Sequence, residues 1–141
     1  MDRDLKEHER FASTLDAVVH HLRTPGEADL SWRLEQVAAL LSLAHEEYRR
    51  AVADDRIKEP LEYDGSRGLF LLARQAFDRL APTLRPQDSE TVATIAAEFD
   101  RLAPVWPAVE RPIMPVMSPA EVSAAIARIE RSAERLVRQS V

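Results

Sequence analysis

Residues 29–53 read DLSWRLEQVAALLSLAHEEYRRAVA, and their apolar positions decide the fold class. Leu30, Leu34, Val37, Leu41, Tyr48 and Val52 recur at alternating steps of about three and four, the period of one helix face, with His45 among them. That period, with Glu and Arg between the apolar positions, predicts an amphipathic helix and no membrane-spanning segment.

The same period extends outward on both sides. Toward the N-terminus, Phe11, Leu15, Val18 and Leu22 share a face over about Asp4 to Arg23, and the pattern stops before Thr24-Pro25-Gly26. Toward the C-terminus, the polar turn Asp54 to Glu59 leads to Pro60, which suits a first helical position. Leu61, Gly65, Gly68, Leu69, Leu72, Ala76 and Leu80 then form a stripe up to Pro82. The short turn predicts an antiparallel hairpin. A fourth helix is predicted from about Asp88 to Ala103 through Val92, Ile95, Phe99 and Leu102, with Asp88 or Ser89 as its cap.

Five prolines between residues 104 and 119 forbid regular helix, because each lacks a donor and restricts the residue before it. Ser118-Pro119-Ala120-Glu121 is a capping box, and Val122, Ile126, Ile129, Ala133 and Leu136 follow as a last stripe. The expectation is one all-α domain over residues 1–141, an antiparallel bundle of four to five helices with a Pro-rich crossover at 104–119 before the last helix. About fifteen extended residues span roughly 45 Å against about 24 Å for the fourth helix, which lets the last two helices run parallel. Val105, Trp106, Ile113 and Met117 are expected to cover the open end or side of the bundle.

Composition narrows the function classes. At 141 residues, 45% hydrophobic and 30% charged, the chain suits one globular domain and neither disorder nor a membrane protein. A net charge of -5, with both signs alternating along every helix, argues against nucleic acid. The absence of cysteine removes disulfides, thiolate catalysis, zinc fingers and iron–sulfur clusters. Met1 to Lys6 carry no apolar run, so neither a signal nor a membrane anchor is read there. The expected location is periplasmic if a signal peptide was removed and cytoplasmic otherwise. No Gly-rich phosphate loop, nucleophile elbow or His-Glu-x-x-His is present, and no enzyme is expected.

Chemistry, if any, is expected in the hairpin. Around a turn centred near residue 56 or 57, Tyr48 faces Gly65 and His45 faces Gly68. Two helical glycines cost about 1 kcal/mol each relative to alanine, so a bulky neighbour needing room would offset them. One reading packs Tyr48 and His45 into a glycine notch, with Tyr63 and Phe70 or Phe77 closing its sides. The other makes the place a small-ligand or metal site in which His45 with Glu46, Glu47 or Glu62 offers ligands suited to iron or zinc. Against the metal, the usual helical ligand spacings do not occur around His45. Asp4 with His8 and Asp16 with His20, flanked by His21, have i,i+4 spacing that reads first as surface ion pairing. Met114 and Met117 make a poor copper site without a nearby histidine.

One stretch adds a resemblance. Leu40-Leu41, Glu47-Tyr48, Ala51-Val52-Ala53-Asp54-Asp55-Arg56-Ile57, then Glu62-Tyr63 and a long apolar helix, resembles the extracytoplasmic helical region of bacterial high-affinity, oxidase-linked iron permeases. It covers about residues 37–77. Asp55 stands where that pattern favours glycine, and the permease's membrane helices with their Arg-Glu-x-x-Glu motifs are not in this sequence. The resemblance implies a stand-alone relative of the soluble domain working beside a membrane metal-transport component, without membrane insertion. It implies iron as the metal and His45, Glu47, Tyr48, Glu62 and Tyr63 as positions to test. The alternative is a protein–protein interaction or scaffold bundle that binds no metal.

Overall fold

A computed structural model describes residues 30–108 and 110–139. The helix expected over Asp4–Arg23, with His8, His20 and His21, lies outside the described residues. Helix α1 spans Leu30–Ala51, the strands β1 and β2 span Val52–Ala53 and Arg56–Ile57, α2 spans Pro60–Leu102, a 3-10 turn spans Ala103–Val105, and α3 spans Pro119–Gln139. The described residues therefore hold three helices, where four to five were expected for the chain.

The turn after α1 is tighter than a polar loop. Val52 pairs with Ile57 and Ala53 with Arg56 in a minimal antiparallel ladder. Asp54 and Asp55 reverse the chain with φ of 53° and 57°, the left-handed pair that makes a two-residue hairpin. Lys58 closes the turn by donating from Nζ to Asp54 Oδ2 at 2.8 Å. The amides of Lys58 and Glu59 both donate to the carbonyl of Ala51, the last residue of α1. Asp55, the residue set against glycine in the sequence pattern, thus sits in the conformation that glycine adopts most easily.

The expected break between a third and a fourth helix is reduced to one residue. Pro82 and Pro86 lie inside α2, and the helix continues to Asp88, whose φ of -160° and ψ of 80° are extended. Spaced by four, the two prolines share an exposed face, so the carbonyls they leave unbonded, those of Asp78 and Pro82, are on residues open to solvent. Asp88 then caps the second limb. Its Oδ1 accepts from the Thr91 amide at 3.0 Å and its Oδ2 from the Thr91 hydroxyl at 2.6 Å. Ring pairs Phe70–Phe99 and Phe77–Phe99, with the ion pair Arg74–Asp100, show the second limb folded back along the first.

Helix α3 runs antiparallel to both of its neighbours. Arg128 grips Glu98 with two hydrogen bonds of 2.9 and 3.2 Å, while Gln139 reaches Asp88, so rising numbers on α3 meet falling numbers on the second limb. Ser42 donates to Glu130 across α1 and α3. The parallel arrangement allowed by the linker's reach is thereby corrected. The crossover does not travel the length of the bundle; it spans the hairpin end, and α3 starts there. Its capping box forms as expected, with Ser118 Oγ accepting from the Glu121 amide at 3.1 Å and Glu121 Oε1 accepting from the Ser118 amide at 3.4 Å.

One core joins all of these elements. Leu34, Leu41, Leu69, Leu84, Ile95, Leu102, Val122 and Leu136 are at most 1% exposed, and Tyr48, Tyr63, Phe70, Phe77 and Phe99 supply its largest fully buried rings.

Candidate functional site

Two tyrosines and a tryptophan organise the hairpin end. Tyr48 is the last large side chain on the buried face of α1, Tyr63 opens the buried face of α2, and both are 0% exposed with ring centroids 6.4 Å apart. Trp106 enters this core from the crossover. It stacks on Phe70 at 4.8 Å and stands edge-on to Tyr48 at 5.4 Å. Burying so much aromatic surface obliges each polar tip to find a partner. Tyr63 Oη donates to the Val105 carbonyl at 2.7 Å, Trp106 Nε1 donates to Ser66 Oγ at 2.7 Å, and Ser66 Oγ donates in turn to the Tyr63 carbonyl. Tyr48 Oη donates to the Met117 carbonyl. Each end of the crossover is thus fastened to the hairpin by a tyrosine hydroxyl.

The electrostatics keep these phenols protonated. Burial, then the neighbouring Tyr63, pushes Tyr48 up to about 12. Burial also raises Tyr63, against the opposing pull of Arg67, whose guanidinium lies 5.3 Å from the Tyr63 ring centroid. A phenol held neutral donates to a carbonyl; becoming a metal ligand would require both the proton and that hydrogen bond to be given up.

The positions singled out in the sequence separate accordingly. Tyr48 and Tyr63 come together as buried donors. His45, Glu47 and Glu62 are half-buried, and Glu47 pairs with Arg50 at 3.6 Å. Among the described residues no group of three or more His, Asp or Glu side chains converges as a metal site would require. The glycine notch does not form: a Cβ at Gly65 or Gly68 would meet nothing within 4 Å, so neither glycine makes room for Tyr48 or His45. The tyrosine ring is received by Trp106 instead, a residue from a distant segment that hairpin register could not supply. Of the residues expected to cover the bundle, Val105 and Trp106 are buried and Met117 partly so, but Ile113 is 96% exposed. Ser66, fully buried, escaped sequence reading; the need of a buried Trp106 for a hydrogen-bond acceptor was the available signal.

Fold and site together define an all-α bundle of antiparallel segments closed at one end by a tyrosine-clamped, proline-rich crossover. Residues 25–140 match the iron permease-associated 4-helix bundle domain, and the chain belongs to that family. The kinked α2 supplies two of the antiparallel segments and α1 and α3 the others. No curated protein and no solved structure matches the chain. Among the described residues no helix is long and apolar enough to cross a membrane.

Proposed function

We propose that this chain is a non-catalytic accessory module of iron uptake, working outside the cytoplasm beside a membrane permease. The observation that carries the reading is the family match across residues 25–140, which takes in every described helix and the crossover. The geometry supports a binding role over a chemical one. The buried polar side chains of the hairpin end, Tyr48, Tyr63, Ser66 and Trp106, are committed to holding the crossover in place. Any direct contact with iron falls in this reading to His45, Glu47 and Glu62, completed by ligands from a partner, because these side chains are partly open.

The test has two arms. Removing the chain from cells is expected to lower the uptake of radiolabelled iron at limiting concentration, and unchanged uptake would sink the proposal. Calorimetric titration with ferrous and ferric iron, alone and with permease present, addresses contact with the metal. Heat seen only with the permease, and reduced by His45→Ala or Glu62→Ala, is the expected result; binding to the isolated chain that survives both changes would place the metal elsewhere.

A further inference from the structure

Exposed apolar side chains are not scattered over this bundle. Of the five large hydrophobic residues exposed among the described residues, four belong to the hairpin end: Leu61 at 81%, Ile113 at 96%, Met114 at 62% and Val116 at 53%. Their neighbourhood is fixed by surrounding contacts. Pro115 and Met117 line one hollow with residues 52–55, and Arg111 lies 3.9 Å from Asp64, one turn along α2 from Leu61. The crossover that carries three of the four is held at both ends by the tyrosine hydroxyls and stiffened by Pro112 and Pro115. A segment so restrained loses little conformational freedom on binding. Exposed apolar side chains gathered at one place mark an interaction surface.

Charge selects the occupant. At this end Asp54 is paired with Lys58, and Asp64 lies near Arg67 and Arg111. The carboxylates of Asp55, Glu59, Glu62 and Glu110 make no ion pair among the described residues, and Arg56 is the cation similarly left over. The apolar tip therefore has an acidic rim. A second copy would set this rim against itself, and an anionic lipid surface would repel it. We infer that the hairpin end is a docking surface for a protein partner that presents an apolar patch flanked by lysine or arginine, and, resting on the iron-uptake reading above, that this partner is the extracytoplasmic face of the permease.

The experiment uses the full chain with a photo-crosslinking amino acid at position 113 or 114, or at position 85 near the opposite end as a control. Each is irradiated with purified permease in nanodiscs of zwitterionic lipid, with empty nanodiscs, and alone. The expected result is a permease adduct from positions 113 and 114 but not 85, mapping to a peptide that contains apolar residues beside Lys or Arg. Ile113→Ser with Met114→Ser should weaken binding at least about tenfold, on the order of 1.4 kcal/mol. Glu59→Lys with Glu110→Lys should weaken it too and flatten its salt dependence. These side chains are exposed, so the variants are expected to fold, and the helical circular dichroism signal checks that they do. Adducts only to lipid, only between copies, only from position 85, or none at all would overturn the inference. Lowered iron uptake on removing the chain, without a 113 adduct, would sink this surface and leave the uptake reading standing; unchanged uptake would sink that reading.

Discussion

The two ends of the bundle perform the same task, reversing the chain, by different physics. At the hairpin end the backbone itself takes the turn through two left-handed aspartates, and a distant segment is then fastened over it by tyrosine hydroxyls and a buried tryptophan. At the other end a single extended residue, Asp88, reverses α2, and its own carboxylate caps the next limb while Gln139 reaches it from α3. The first end is held by long-range aromatic burial, and the reversal at the second by polar contacts that converge on one carboxylate, that of Asp88. Damage should therefore be large at the first and modest at the second.

The largest effect is expected from Trp106→Ala. It deletes a ring that is 2% exposed and touches both Phe70 and Tyr48, and it leaves Ser66 without its donor, so a loss of about 3–5 kcal/mol is expected by chemical denaturation. An intact denaturation midpoint would refute the view that Trp106 locks this end.

Next come the hydroxyls. Tyr48→Phe and Tyr63→Phe each leave a crossover carbonyl without its donor and are expected to cost about 1–2 kcal/mol. The same bonds predict alkaline sensitivity. Both phenols are raised above the unfolded tyrosine value near 10, so their contribution is fully present below about pH 10 and is lost as pH rises toward the value of about 12 for Tyr48. Melting temperature followed from pH 8 to 12 should fall over that window, and less steeply in the double phenylalanine variant.

At the opposite end, Asp88→Ala removes a helix cap and is expected to cost about 1 kcal/mol. A loss as large as that of Trp106→Ala would erase the contrast between the ends. The smallest effects should be gains. Asp55→Gly relieves a left-handed residue, and Gly68→Ala fills open space on a helix; each is expected to stabilise by about 0.5–1 kcal/mol. Destabilisation by Gly68→Ala would revive the notch.

Much of this architecture could be read from periodicity. The face of α1, the proline at the start of α2, the Ser118–Glu121 box and the irregular crossover all follow from local rules, because a helix face, a cap or a missing amide donor is set by residues within one or two turns. The resemblance carried by Glu47-Tyr48 and Glu62-Tyr63 also led to the right family. Contacts between segments are not legible in the same way. Gly65 and Gly68 fall opposite Tyr48 and His45 only if the turn is centred near residue 56 or 57; the Val52–Ile57 and Ala53–Arg56 pairs centre it between Asp54 and Asp55, and helix rotation then decides which side chains meet.

By itself, then, the sequence determined a cysteine-free, all-α chain with its helix faces and its proline-rich break, since these depend on short-range sterics and on the period of apolar residues. Only the tertiary structure decided that α2 runs through Pro82 and Pro86 to a one-residue reversal, that α3 is antiparallel to its neighbours, and that Tyr48 and Tyr63 bind carbonyls of the crossover. Those outcomes depend on burial, which commits each hydroxyl and indole N–H to whatever acceptor the packed chain brings within reach.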